Sequence, residues 1–366
     1  MDERLRILLL VFGGLVGACV GSFLNVCIYR IPRHGLSVSK PRRSFCPACG
    51  QEIKWYDNIP ILSWILLRGQ CRSCRAPISV RYIAVEALTA LVFVLIAERH
   101  LFSGELALVT SVVVAALSAA LIVAAFIDLE LRIIPDQITL GGMMAAPFIA
   151  LFMPDLYRRP SNKGIQDGLE HLKTWLEGLG LGPGGILAVA GAVLAAAWLF
   201  YAGLLGYALY WRTLHRGEPK PLRDGLLGGI LTGAVGGMTV LSVLMPESLV
   251  WDSVRGFWCA MAGMLVGSTL VFLVGAIGSK VFRKPAMGFG DVKLMGLLGA
   301  FAGWLGVVEG FFLACLMGSL VGIVLLVRYR SRYLPFGPFL AAGCLFTILW
   351  PGAFKRLLEW YLSLFR

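Results

Sequence analysis

Acidic residues are scarce in this chain: 21 Asp and Glu stand against 33 Lys and Arg, and charged residues of both signs fill only 15% of 366 positions. Soluble domains carry far more charge, so a water-exposed globule is excluded. Histidine is rarer still, and His34, His100, His171 and His215 are too scattered to suggest a metal site or a triad. Barrel-type alternation of apolar and polar residues is also missing, so any span must satisfy its own backbone hydrogen bonds as a helix. No basic stripe is interleaved with aromatics, which argues against nucleic acid as a partner despite a formal charge of +12. Neither the paired broken repeats of a transporter nor a glycine-rich methyltransferase fingerprint is visible.

What the chain has in abundance is apolar sequence, at 58% of residues with a mean hydropathy of +0.79. Runs long enough to cross a hydrocarbon core roughly 30 Å thick are expected near 7–29, 80–97, 105–127, 134–153, 184–210, 225–245, 256–278, 292–308, 310–327 and 336–350. The first is expected to be retained, since no small-residue cleavage site precedes Arg30. The expected fold is therefore an all-α polytopic membrane protein of about ten transmembrane helices, with a small cytosolic four-cysteine zinc-binding loop domain. Orientation follows the basic residues. With the amino terminus outside, 22 of the 33 fall on cytosolic segments, ten of them between Arg30 and Arg81. Basic loops beside an anionic leaflet account for the net charge, and the lipid bilayer is the first expected partner.

Of nine cysteines, Cys19, Cys27, Cys259, Cys315 and Cys344 lie in apolar runs and read as packing residues. Cys46, Cys49, Cys71 and Cys74 form two Cys-x2-Cys knuckles 21 residues apart in the first polar loop. Each knuckle can chelate one edge of a tetrahedron, and a loop in the reducing cytosol disfavours two disulfides. Four thiolates leave no open coordination position, so the zinc is expected to be structural, stabilising a segment too small to hold a core unaided.

Where carboxylates are few, their positions are informative. Asp128 ends the third span and is followed by Ile134-Pro135-Asp136, while Asp291 closes Gly288-Phe289-Gly290-Asp291 just before another apolar run. A carboxylate at the membrane is costly and usually has a use. Two brought together share a proton, so one can activate water while the other protonates a departing amine. The plainer alternatives are that Asp291 caps the helix after it and that Asp128 is an interfacial residue. Sequence position leaves these open.

At these residues the chain resembles the type IV prepilin peptidases. The resemblance runs through Gly21-Ser22-Phe23-Leu24-Asn25-Val26, Arg30-Ile31-Pro32, Trp55-Tyr56-Asp57-Asn58-Ile59-Pro60, Leu62-Ser63-Trp64, Arg81-Tyr82 and Glu86. It continues through the Asp128 segment, the Gly-Phe-Gly-Asp motif and Pro335-Phe336-Gly337-Pro338-Phe339-Leu340-Ala341. It implies that Asp128 and Asp291 are the catalytic pair, with Asp136 the weaker candidate. It further implies cleavage of a short basic leader from prepilins and pseudopilins at the cytosolic face of the bacterial inner membrane. Methylation of the new amino terminus from S-adenosylmethionine is implied as well, with no residue assigned to the methyl donor. One departure stands out: Asp128 and Asp291 are 163 positions apart, with surplus sequence between 154 and 255. Two extra spans there would return the Gly-Phe-Gly-Asp motif to the cytosolic face.

The chain is thus expected to divide into a first transmembrane helix (1–29), a cytosolic zinc-binding domain (30–79), transmembrane helices carrying Asp128 (80–153), an insertion with an outer-face loop and two extra spans (154–255), transmembrane helices carrying Gly-Phe-Gly-Asp (256–353) and an amphipathic tail (354–366). Within the insertion, Gly164–Gly178 reads either as an amphipathic interfacial helix or as ordinary outer-face structure. The rival functional class is a non-enzymatic membrane assembly or transport protein with a partner-binding zinc loop.

Overall fold

The computed structural model describes residues 3–33, 36–39, 43–102, 108–153, 156, 163–180, 185, 247–284, 287–329 and 334–364. The expected spans 184–210 and 225–245 lie outside the described residues, apart from residue 185. Among the described residues all regular structure is helical, apart from two isolated β-bridges. The helices are α1 (Glu3–Arg30), α2 (Leu62–Leu66), α3 (Arg81–Ile96, continued by a π turn Ala97–Phe102), α4 (Leu108–Leu131), α5 (Asp136–Phe152), α6 (Lys163–Gly178), α7 (Glu247–Phe282), α8 (Phe289–Tyr329), α9 (Gly337–Leu349) and α10 (Ala353–Ser363). Among the described residues, four helices are long and apolar enough to cross a membrane: Glu3–Arg30, Leu108–Leu131, Asp252–Phe282 and Phe289–Arg328. A fifth would be α9 with α10, if that pair, bent by 90°, were counted as one.

Helix α8 does not run straight. At 1.5 Å per residue its 41 residues would extend about 60 Å, twice the thickness of a hydrocarbon core. Gly303 breaks it with φ 77° and ψ 172°, a conformation that a side chain would oppose. Contacts at the far ends show what the break achieves. Ile134 lies 3.4 Å from the Cβ positions of both Gly290 and Gly337, and Phe336 lies 3.3 Å from that of Gly318. A straight helix would hold Gly290 and Gly318 about 40 Å apart. The chain must therefore turn back at Gly303, so that α8 makes two legs whose boundary falls inside the expected run 292–308 and not between 292–308 and 310–327. The first leg packs against α7 with the backbones of Gly263 and Gly299 in contact, and the second packs antiparallel to α9.

Exposed apolar side chains cover the outside of the bundle, among them Leu8, Phe12 and Leu15 on α1 and Leu320, Ile323 and Val324 on α8. The core runs between α1, α3, α4, α5, α7, α8 and α9. Helix α6 meets α7 through a Glu170–Arg255 ion pair, while Leu172 and Trp175 stay exposed. The tail, read from sequence as amphipathic, is helical over Ala353–Ser363 and leaves α9 at a right angle.

The cysteine loop between α1 and α3 is built from two equivalent knuckles. In each, the first cysteine's amide donates to a carbonyl five residues on, Cys46 to Gln51 and Cys71 to Ala76, both at 2.9 Å. The residue after the second cysteine takes a left-handed conformation, Gly50 at φ 71° and Arg75 at φ 57°. The loop is also tied to the helices. Buried Arg30, at the end of α1, donates to the carbonyls of Ser37 and Val38 at 3.2 and 3.1 Å, and buried Glu86 on α3 accepts from the Ile61 amide at 2.7 Å. Within the loop, Arg72 forms a two-pronged ion pair with Asp57, whose hydrogen bonds hold the Asp57 carboxyl below the usual carboxylate range.

Candidate active site

Asp128 occupies the last turn of α4, where Arg132 closes the helix by donating its amide to the Asp128 carbonyl at 2.9 Å. The side chain is buried at 7% exposure. Its Oδ2 accepts a 3.2 Å hydrogen bond from the Gly337 amide, the first residue of α9. The free amides at a helix start suit an anion, so the position favours a carboxylate. Glycine is needed there, because a Cβ on residue 337 would stand 2.7 Å from that oxygen.

Asp291 is in the first turn of α8, and its Oδ2 accepts from the Gly288 amide at 3.3 Å. The plainer sequence reading is thus partly right, since Asp291 does satisfy an amide at its helix start. The segment that carries it packs beside the Asp128 site, since Ile134 lies 3.4 Å from the Cβ positions of both Gly290 and Gly337. Among the described residues, neither Oδ1 takes a hydrogen bond.

Asp136 has a different part. It starts α5 and pairs with Lys293 at 2.8 Å, and the same ammonium lies 5.0 Å from the Phe289 ring centre. This pair pins the start of α5 to the start of α8, beside the two aspartates. Sequence reasoning did not foresee this tie, nor the Gly337 amide, although both sit inside motifs it singled out.

The four loop cysteines converge, with all four Sγ atoms within 4.8 Å of one another and Cys46 and Cys74 3.9 Å apart. A tetrahedron with Zn–S bonds of about 2.3 Å has edges of about 3.8 Å, so the donor set fits zinc. None of the four is in a disulfide. The amides of Cys74 and Ser73 point at the Cys71 sulfur and pull its thiol down to about 7, while the neighbouring Cys74 thiol is pushed up to about 11, as expected of sulfurs crowded together.

Comparison with known proteins agrees with the order of these features. Residues 15–100 match the family described as the bacterial peptidase A24 N-terminal domain, and residues 226–323 match the type IV leader peptidase family. Asp291 lies inside the second stretch, and Asp128 falls between the two. A prepilin leader peptidase/N-methyltransferase from Myxococcus xanthus is 32% identical over 87% of this chain, which spans 63% of that relative's length. A protein of the same name from Aeromonas hydrophila is 29% identical, with 96% of this chain and 93% of the relative covered. Another, from Dichelobacter nodosus, is 34% identical over 60% of this chain and 90% of its own length. No solved structure matches. The two family matches, together with a relative 34% identical and covered over 90% of its own length, show that the chain belongs to the prepilin leader peptidase/N-methyltransferase family.

Proposed function

We propose that this protein is a membrane aspartic endopeptidase that cleaves the leader from prepilins and pseudopilins and then methylates the new amino terminus. The observation that carries this reading is that Asp128 and Asp291, 163 positions apart, are each fixed by one glycine amide with Oδ1 clear of hydrogen bonds, while the Gly337 that holds Asp128 and the Gly290 beside Asp291 pack against the same Ile134 side chain. Two such groups hold one proton between them. The ionised carboxylate takes a proton from water, and the resulting hydroxide attacks the scissile carbonyl. The protonated carboxyl then gives its proton to the departing amine, breaking the C–N bond. Asp128 and Asp291 are assigned to these roles as a pair. Lys293 and Asp136 position the start of α8, and Gly337 and Gly288 hold the carboxylates by their outer oxygens.

Cys46, Cys49, Cys71 and Cys74 would hold a structural zinc, which stabilises the loop and takes no part in hydrolysis. S-adenosylmethionine, when bound, supplies the methyl group. The ten-span topology belongs to the same proposal, with the loop and the aspartates on the cytosolic side of the bacterial inner membrane. Its support is the clustering of basic residues on that side and the return of Asp291 to the level of Asp128. The test is incubation of the purified protein with a prepilin in proteoliposomes. Shortening of the substrate by its leader supports the assignment, and intact prepilin favours a non-enzymatic scaffold.

A further inference from the structure

A second buried polar site lies one helix away from the aspartates, between α1, α3 and the cysteine loop. Asn25 is 3% exposed and its Nδ2 donates to the Tyr82 carbonyl at 3.0 Å, which fixes the orientation of the amide. Its Oδ1 is buried and has no hydrogen-bond partner. One turn along α3 from Tyr82 stands Glu86, 8% exposed, which takes a hydrogen bond from the Ile61 amide at 2.7 Å. No Lys or Arg among the described residues forms an ion pair with Glu86.

Packing has forced these groups together. Where α1 crosses α3, a Cβ on Gly21 would come 2.7 Å from the Glu86 Cα, so the two helices touch at this level. Ile61, which feeds its amide to Glu86, has φ 63° and ψ −53°, a conformation that a β-branched residue resists. A buried carboxylate without a cation, an orphaned amide oxygen and a strained backbone donor all occur at one place. Buried polar groups are normally satisfied, and sites that break this rule are commonly functional. What the site has in excess is acceptors, the orphaned Asn25 oxygen and a carboxyl group with no cation beside it among the described residues. Its complement is a compact group that is positive and carries several N–H donors.

We propose that Asn25 and Glu86 form a binding site for an ammonium group. The proposal rests on the methyltransferase half of the function above, which offers two such groups: the new amino terminus of the cleaved substrate and the amino-acid end of the methyl donor. The orphaned Asn25 oxygen fits either. Both would bind through the same chemistry, on the face of the bundle shared with α4, where Arg81 at the head of α3 pairs with Glu130, two residues from Asp128.

Binding to the full-length zinc-loaded protein tests this without relying on turnover. Two probe pairs differ only in whether the amine is available. One is S-adenosylhomocysteine against its N-acetyl derivative. The other is a processed pilin-type peptide with a free amino terminus against the same peptide acetylated. The site predicts that the wild type binds the amine-bearing member of one pair at least tenfold more tightly, and that pair identifies the source. Glu86→Gln, which keeps an acceptor for the Ile61 amide but removes the charge, should erase the preference and lower the ratio of methyl transfer to cleavage at least tenfold. If Glu86→Gln loses its zinc, Asn25→Ala, which leaves the Glu86–Ile61 contact in place, decides in its stead. The proposal is overturned if the wild type shows no amine preference in either pair, or if the preference survives in a zinc-loaded variant. Absence of methyl transfer by the wild type would count against the functional reading instead, and the binding arms would still judge the site.

Discussion

The Gly337 amide holds the carboxylate of Asp128 across 209 positions of sequence. That single hydrogen bond joins the end of α4 to the start of α9 and fixes one oxygen of the carboxyl group while leaving the other clear. Adding a methyl group at 337 would place it 2.7 Å from the bound oxygen. Gly337→Ala should therefore turn the carboxylate and reduce prepilin cleavage at least tenfold, with zinc content and helical circular dichroism unchanged. Cleavage at the normal rate would show that the hydrogen bond is dispensable.

Asp128→Asn and Asp291→Asn should each abolish a proton-transfer partner, and cleavage should fall by about 10²–10⁴-fold. Because the groups act as a pair, the double variant should be little worse than either single one. Quantifying processed prepilin by gel over a wide enzyme range measures both effects. A single Asn variant that processes prepilin normally removes that residue from the mechanism.

Asp136→Asn is the contrasting case. Asp136 is occupied by Lys293 at 2.8 Å, in a partly exposed pair of modest strength. Cleavage should fall less than tenfold, and a charge-reversed pair, Asp136→Lys with Lys293→Asp, should recover part of the loss. A loss as deep as that of the Asp128 variant would make Asp136 a reacting group instead.

Zinc should be present at one per chain, and Cys71→Ser should release it and open the loop to protease. Acidification separates the loop's two ties. Metal binding requires deprotonated thiols, so zinc should leave as pH falls. The Asp57 carboxyl is held below its ordinary value by Arg72, so its share of stability is present above about pH 4, the unfolded value, and is lost only on descent below it. Zinc release read with a chromogenic chelator should therefore precede protonation of Asp57, followed by carboxylate infrared absorption. The reverse order would contradict the ion pair.

The elements that were legible in sequence are those encoded locally. Apolar runs announce helices, and two Cys-x2-Cys knuckles announce a metal site because chelation needs that spacing. The aspartates stood out as candidates, and the resemblance implied the pairing that is proposed above. The Gly337 bond, the Asp136–Lys293 tie and the Glu86–Ile61 contact were not, because each joins segments whose proximity only the packed helices create. Glycine abundance left the boundary between 292–308 and 310–327 blurred, whereas the φ of Gly303 marks the reversal directly. Glu86 had been noted only as part of a motif, and its burial beside an unsatisfied Asn25 is a property of the α1–α3 crossing.

Ile134 touches the Cβ positions of both Gly290 and Gly337, so one aliphatic side chain acts as a spacer between the two strands of backbone that carry the carboxylates. The spacing of these two segments is thus set by a neutral residue in the short α4–α5 turn. Under the mechanism proposed above, trimming that spacer to valine or alanine would retune the proton assigned to the pair without altering either acid, which makes the turn an adjusting screw for the chemistry.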